Sequence, residues 1–184
     1  AVYNCLIEGF NYGVRSFGSY IEKIQNTTFN ACQFGDYSDY TSDFDIYYCK
    51  FTNCMPNIKL DTNQNLTSDA MSFLRQAGSG IFCEGCGMLD YAGNSFENNF
   101  VNIIIDEGDV IINISDNIFY QPVFTDIYIY NDGFGQDSPF MSLGKGDLKK
   151  FSIDNLVISK NKFIKTENRM NYKEYMKTLI TLII

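Results

Sequence analysis

A six-residue motif recurs along this chain at intervals close to 22 residues or twice that. Five copies end in phenylalanine: IQNTTF (24–29), IYYCKF (46–51), YAGNSF (91–96), ISDNIF (114–119) and ISKNKF (158–163). The five phenylalanines are separated by 22, 45, 23 and 44 residues. Isoleucine or tyrosine stands five positions before each phenylalanine, and asparagine stands two before it in three copies. Because these positions recur together, the spacing indicates a structural repeat.

The two long intervals are close to twice the short ones and can each be divided. Phe73 lies near the middle of the first long interval, and Phe140 lies near the middle of the second. Phe10 is a candidate for the opening member of the series. With these weaker copies included, the sequence predicts seven to eight units of about 22 residues.

Each unit has the pattern of short strands separated by turns. Residues 103–115, for example, contain an apolar run, the turn Glu107-Gly108, and then alternating apolar and polar residues. A strand-only period of about 22 residues is typical of a β-solenoid, in which equivalent residues of successive coils stack about 4.8 Å apart. We therefore predict an all-β fold with a column of isoleucines, a column of phenylalanines and an asparagine ladder at a corner.

The stretch GSGIFCEGCGMLDYAGNSFENNF (78–100) resembles the repeat of right-handed parallel β-helices, which pectate-lyase-like domains and extracellular repeat proteins share. The similarity extends over residues 21–164. It implies that residues 1–184 form a single right-handed β-helix segment of a longer protein. Polysaccharide lyases, glycosidases, phage tailspikes, adhesins and surface filaments all use this fold, so the resemblance does not select a function.

The charge balance excludes several classes of partner. Fourteen basic residues stand against 22 acidic ones, and the net charge of −8 argues against nucleic acid and anionic membranes. Histidine is absent, which removes the commonest general base and metal ligand. No apolar run is long enough for a membrane span. We interpret the apolar segment TLITLII (178–184) as an interrupted strand, with the start of a membrane segment as the alternative. No cofactor is predicted.

Cysteines and glycosylation motifs together indicate a secreted protein. The six cysteines form an even number: Cys5, Cys32, Cys49, Cys54, Cys83 and Cys86. Three N-glycosylation motifs begin at Asn26, Asn65 and Asn113. The alternative is a set of reduced thiols with chance motifs, but the combination favours the secretory pathway and an extracellular or cell-surface location.

The repeat suggests two disulfides without fixing the connectivity. Cys32 and Cys54 each follow a repeat phenylalanine by three residues, so stacking would bring them within range of a bond between coils. A reduced cysteine stack is the alternative. For Cys83 and Cys86 a local disulfide at a corner is favoured over a redox motif or a zinc site, since neither a helix nor histidine accompanies them.

The acidic, tyrosine-rich stretch 34–48 is the best candidate for a binding surface. Four aspartates could supply the carboxylate pair of a glycosidase: Asp36, Asp39, Asp43 and Asp45. Three tyrosines could stack on sugar rings: Tyr37, Tyr40 and Tyr47. A lyase would instead need an arginine near clustered aspartates, and Arg15, Arg75 and Arg169 are not near such a cluster in sequence. A solvated acidic loop is the simpler interpretation.

Two further acidic segments were considered as calcium sites. Residues 106–109 (DEGD) and 131–137 (NDGFGQD) offer oxygen ligands, but the second departs from EF-hand spacing. Asp, Asn and Gly are also the residues that turns require, so both segments are interpreted as turns, and no metal site is assigned.

Two functions remain open at this point. The first is a structural or interaction segment, a rigid and disulfide-stapled rod in a filament or coat, whose ends contact further coils or other subunits because open solenoid ends expose strand edges. The second is a polysaccharide-processing or carbohydrate-binding β-helix protein, which would need carboxylates from adjacent coils in one groove.

Overall fold

The computed structural model describes residues 1–56, 75–85, 87–106, 111–130, 141–142 and 156–164. In this part of the chain eighteen strands form three six-stranded sheets. Sheet A contains β1 (Val2–Tyr3), β4 (Ile21–Gln25), β7 (Asp43–Tyr47), β10 (Met88–Ala92), β13 (Ile111–Ser115) and β17 (Leu156–Ser159). Sheet B contains β2 (Leu6–Glu8), β5 (Thr28–Asn30), β8 (Lys50–Thr52), β11 (Ser95–Glu97), β14 (Ile118–Tyr120) and β18 (Lys162–Ile164). Sheet C contains β3 (Tyr12–Phe17), β6 (Phe34–Asp39), β9 (Ser79–Glu84), β12 (Val101–Asp106), β15 (Thr125–Tyr130) and β16 (Met141–Ser142).

The chain visits the three sheets in turn. Up to β15, each strand pairs in parallel with the strand three places later in its sheet. β16 then joins sheet C as an antiparallel neighbour of β15. β17 and β18 pair in parallel with β13 and β14, four places earlier. We call one passage through A, B and C a layer. One apolar core contains residues from all three sheets, so the sheets enclose it. The prediction of an all-β fold is confirmed.

The predicted phenylalanine column is confirmed as a continuous stack along the inside of sheet B. Adjacent ring centroids lie 4.8 to 5.0 Å apart with interplanar angles of 5 to 11°. The column contains Phe29, Phe51, Phe96, Phe119 and Phe163. Ile7, and not Phe10, precedes Phe29 in the register. The recurring phenylalanine therefore continues one stack of rings from layer to layer.

The predicted number of units is not confirmed by this column. Phe51 pairs directly with Phe96, and Phe119 pairs directly with Phe163, so no unit lies between the members of either pair. Each sheet has six strands in the described part of the chain, compared with the seven to eight coils predicted. The long intervals therefore contain extra chain between strands. Phe73 and Phe140 themselves lie outside the described residues.

The other two predicted columns are also confirmed. On the inner side of sheet A one register column contains Val2, Ile24, Ile46, Tyr91, Ile114 and Ile158. Between sheets A and B, the side chains of Asn94, Asn117 and Asn161 form a ladder. Asn117 Nδ2 donates to the carbonyl of Tyr91 at 2.8 Å, and the backbone N–H of Asn94 donates to Asn117 Oδ1 at 2.8 Å. The asparagines thus satisfy backbone groups that the corner would otherwise leave unpaired.

Each corner needs one residue in the left-handed region. At the corner between sheets A and B, all six layers have such a residue: Asn4, Asn26, Tyr48, Gly93, Asp116 and Lys160, with φ between 50° and 69°. A non-glycine residue is strained in this conformation, and the backbone hydrogen bonds that recur between layers hold it there. Gly35 has a different reason to be glycine, because an added Cβ would lie 2.6 Å from the Gly80 carbonyl oxygen and from the Phe51 ring.

Candidate functional site

The structure separates the four aspartates predicted as a catalytic set. Asp36 points into the interior, in the register column of Val14 and Ile81, and is fully buried. Asp39 lies on the outer side of sheet C, whereas Asp43 and Asp45 lie on the outer side of sheet A. Since Asp36 is enclosed, it is not available to a substrate on the surface. The four residues do not form one site.

A carboxylate column runs along the outer side of sheet C. Asp39, Glu84 and Asp106 are register partners in three successive layers, which places neighbouring side chains about 4.8 Å apart at the backbone. Arg75 Nη2 lies 2.8 Å from Glu84 Oε1 and 2.9 Å from Asp106 Oδ2. Arg75, which is not near clustered aspartates in sequence, is therefore close to two acids in the fold. The spacing of residues in the sequence does not show this proximity.

Asp39 is electrostatically different from its neighbours in the column. Burial raises its pKa, the charge of Glu84 raises it further, and Arg15 and Arg75 lower it. Its Oδ1 atom has no hydrogen-bond partner among the described residues. Glu84 accepts a hydrogen bond from Tyr37 Oη at 3.4 Å and is held by Arg75. An acid whose pKa is raised by burial thus stands beside a carboxylate held by arginine, an arrangement suited to general acid–base chemistry.

A second pair of acids lies on the outer side of sheet A. Asp45 and Asp90 are register partners. Asp45 pairs with Lys23 at 3.2 Å, and Asp90 accepts hydrogen bonds from Tyr47 Oη at 2.6 Å and from Asn113 Nδ2 at 2.8 Å. Desolvation and the hydrogen bond to Asp90 raise the pKa of Tyr47. Because both carboxylates already have partners, this pair is better suited to holding neighbouring strands together than to chemistry.

The predicted sugar-contacting tyrosines have different accessibility. Tyr37 is buried, with its ring stacked on Phe82 at 4.6 Å, so its faces are not available to a ligand. Tyr47 is half-buried, and its hydroxyl binds Asp90. Tyr40 is exposed, packs against Gly85 and meets Phe17 edge to face. Only Tyr40 of the three keeps an accessible ring, and it directly follows Asp39.

The interior contains a polar cluster near the first layers. Asp36 and Glu22 are both buried and approach a shared hydroxyl, since Ser38 Oγ lies 2.9 Å from Asp36 Oδ2 and 2.9 Å from Glu22 Oε2. Ser16 Oγ also contacts Glu22 Oε2 and lies 3.2 Å from Thr41 Oγ1. Burial raises the pKa of Asp36 well above its usual value, and Glu22 raises it further.

Cys32 and Cys54, predicted to bond between coils or to form a reduced stack, are free thiols in the structure, as are Cys5 and Cys49. The disulfide between Cys32 and Cys54 stays a prediction. Burial raises the pKa of Cys49 to about 11. Cys83 is disulfide-bonded, and its predicted partner Cys86 lies outside the described residues.

The glycosylation candidates differ in accessibility. Asn26 is exposed and lies at a corner with φ 50°. Asn113 is half-buried in β13, where its amide donates to Asp90. Asn65 lies outside the described residues. Asn26 therefore has the geometry best suited to a glycan.

Of the two candidate calcium segments, only Asp106 lies within the described residues. Asp106 binds Arg75, whereas residues 107–110 and 131–140 lie outside the described residues. In the part of the chain that the structure describes, no three His, Cys, Asp or Glu side chains are grouped as metal ligands.

Sequence reasoning missed three acids that the structure places in these clusters, Glu22, Glu84 and Asp90, and it considered Asp106 only as a calcium ligand. The repeat contained a signal for some of them. Asp90 stands one residue before Tyr91, as Asp45 does before Ile46, and Glu84 is 22 residues from Asp106. Aligning every position of the repeat, and not only the motif, would have paired these residues.

Comparison with known proteins gives no assignment. No known family matches this chain, and neither a curated protein nor a solved structure is significantly similar to it. Among the described residues, no helix has the length and apolarity needed to cross a membrane. Functional inference therefore depends on the geometry alone.

Proposed function

We propose that this chain is a structural, partner-contacting segment of an extracellular right-handed parallel β-helix, in which the layers are successive coils of a rigid rod. The observation that carries the proposal is the in-register stacking of the same side chains through three sheets. Such stacking makes a long, stiff body from short strands without a closed active-site cavity. Cys83 in a disulfide and Asn26 at an exposed corner support the secretory location.

The first layer is the contact surface in this proposal. β1, β2 and β3 end their sheets, so each pairs on one edge only in the described part of the chain. Large apolar side chains are exposed in the same layer: Leu6 at 69%, Phe10 at 58% and Phe17 at 74%. Unpaired strand edges beside exposed apolar groups favour pairing with further coils or with another subunit.

Sedimentation velocity over a range of concentrations tests this surface. We expect the weight-average sedimentation coefficient to rise with concentration as the chain associates. We expect the double variant Leu6→Asp/Phe10→Asp to remain monomeric. The matched control is Ile111→Asp/Ile118→Asp, which charges exposed residues on the outer sides of sheets A and B away from the first layer. A monomeric wild-type chain, or equal behaviour of the two variants, would contradict contact through the first layer.

A second candidate function, carbohydrate binding or processing, is favoured by the column that contains Asp39 and Glu84. Its support is a pair of neighbouring carboxyl groups with unlike environments beside the accessible ring of Tyr40. In this candidate Asp39 acts as the general acid and Glu84 as the base or nucleophile. Tyr40 supplies the stacking surface for a sugar ring.

Incubation with a panel of polysaccharides tests the second candidate. Release of reducing ends measures turnover, and retention of the chain on the polysaccharide measures binding. We expect Asp39→Asn to lower turnover of a responsive polysaccharide by about 10² to 10⁴ while retaining its binding. The control Asp45→Asn alters an acid of the same type on the opposite outer surface and should leave turnover unchanged. If no polysaccharide responds, or if Asp45→Asn has the same effect as Asp39→Asn, the candidate fails.

A further inference from the structure

Asp36 and Glu22 lie in the interior, and neither has a basic partner among the described residues. Asp36 occupies a column otherwise filled by Val14, Ile81, Ile103 and Ile127. Glu22 occupies the column of Phe44 and Leu89. Two ionised carboxylates in such surroundings would be very costly, because both side chains are buried and no cationic side chain in the described part of the chain offsets their charges.

The hydrogen atoms available to this cluster can be counted. Ser38 has one hydroxyl proton, but its Oγ lies 2.9 Å from a carboxylate oxygen on either side. Ser16 Oγ has one proton and contacts Glu22 and Ser38 Oγ, the latter at 3.0 Å, while Thr41 can donate to Ser16 at 3.2 Å. If Ser38 donates to Glu22, its contact with Asp36 needs a proton from Asp36. A proton on Asp36 therefore makes the contact between Asp36 Oδ2 and Ser38 Oγ a hydrogen bond.

We propose that Asp36 and Glu22 form a buried carboxyl pair that keeps one proton at neutral pH, with Asp36 donating to Ser38 and Ser38 donating to Glu22. The pair makes the first layers of the fold sensitive to pH. It lies apart from the column of Asp39, Glu84 and Asp106 on the outer side of sheet C and does not depend on either function proposed above.

The groups facing this pair come from several elements. Glu22 approaches from β4, Ser16 from β3, and the hydroxyl of Tyr91 from β10, while Cys49 precedes β8. The Tyr91 hydroxyl and Asp36 Oδ1 are both buried, and neither has a hydrogen-bond partner within the described ranges. Each of these titratable neighbours is acidic, so none stabilises a negative charge on Asp36. Together they favour retention of the proton.

The direction of the pH effect follows from linkage. The pKa of Asp36 is raised in the folded chain, so above the pKa of the unfolded aspartate the folded chain binds one proton more. The stabilisation that this proton contributes is fully present in acid. It is lost as the pH rises from the pKa of the unfolded aspartate, about 4, toward the raised pKa of the folded chain. In that window the ratio of folded to unfolded chain should fall about tenfold per pH unit.

Aspartate labelled with carbon-13 at the carboxyl group gives a direct test on the wild-type chain. We expect one aspartate carboxyl resonance to stay at the position of the protonated form at pH 7, when the surface aspartates have titrated. This readout needs no variant. A set of carboxyl resonances that are all ionised at pH 7 would overturn the proposal.

Urea unfolding of Asp36→Asn between pH 4.5 and 8 provides the second test. The amide can donate to Ser38 as the acid does, so the variant should match the wild-type chain in acid, exceed it at pH 8 and lose the tenfold slope. Asp45→Asn is the control and should retain the slope. An unchanged slope in Asp36→Asn would overturn the proposal. So would stabilisation of the wild-type chain, but not of Asp36→Asn, by calcium at pH 7, because a cation would then replace the proton.

Discussion

Replacement of Phe96 by alanine is expected to lower the free energy of unfolding by about 3 to 5 kcal/mol. The ring is fully buried and stacks on Phe51 and on Phe119, each at 5.0 Å, so its removal opens a cavity between two layers. The backbones on either side are held by parallel pairing and cannot close that space. Urea unfolding followed by far-ultraviolet circular dichroism measures the loss.

Phe163→Ala is the matched control for Phe96→Ala. Phe163 belongs to the same column, but it stacks on Phe119 in the last described layer and is 51% exposed. Its loss should cost about 1 kcal/mol, since little apolar area returns to water. If both alanine variants lose the same stability, the stack does not contribute through burial between layers.

Replacement of Asn117 by alanine is expected to cost about 2 to 4 kcal/mol, because two buried backbone groups lose their partners. The side chain accepts from the N–H of Asn94 and donates to the carbonyl of Tyr91. Alanine supplies neither atom, and the interior at this corner offers no replacement. The same unfolding measurement applies, with hydrogen exchange at the Asn94 amide as a local readout.

Asn113→Ala serves as the control for the asparagine ladder. Asn113 lies four residues earlier, is only half-buried, and makes its one side-chain bond to Asp90 on the outer side of sheet A. Water can replace that bond, so we expect a loss below about 1 kcal/mol. Faster exchange at the Asn94 amide in Asn117→Ala, and not in Asn113→Ala, would identify the ladder as the cause.

The columns are predictable from sequence because a repeat position maps directly onto a place in the stack. The period alone predicts the columns of Phe96, Ile114 and Asn117, because parallel pairing in register places equivalent residues of successive layers next to one another. The number of strands in each sheet was not predictable in this way. A connection of extra residues at a corner leaves the same phenylalanine spacing as a full unit would.

The acids show a different limit. Asp36 and Asp39 stand three residues apart, but one points into the core and the other points outward. A spacing of three residues places them on opposite faces of β6, but the interpretation of this stretch as a solvated loop did not predict the strand. Arg75 reaches Glu84 and Asp106 from a connection outside the repeat, so no spacing rule could have placed it.

The unequal connections between strands have a consequence for variation. Three residues join β5 to β6, whereas 26 residues join β8 to β9, and all four strands keep the common register. Closing the longer connection adds only about 2 kcal/mol if the cost grows with the logarithm of its length. The number of residues between β8 and β9 can therefore change at small cost in stability while the strands on either side keep their pairing.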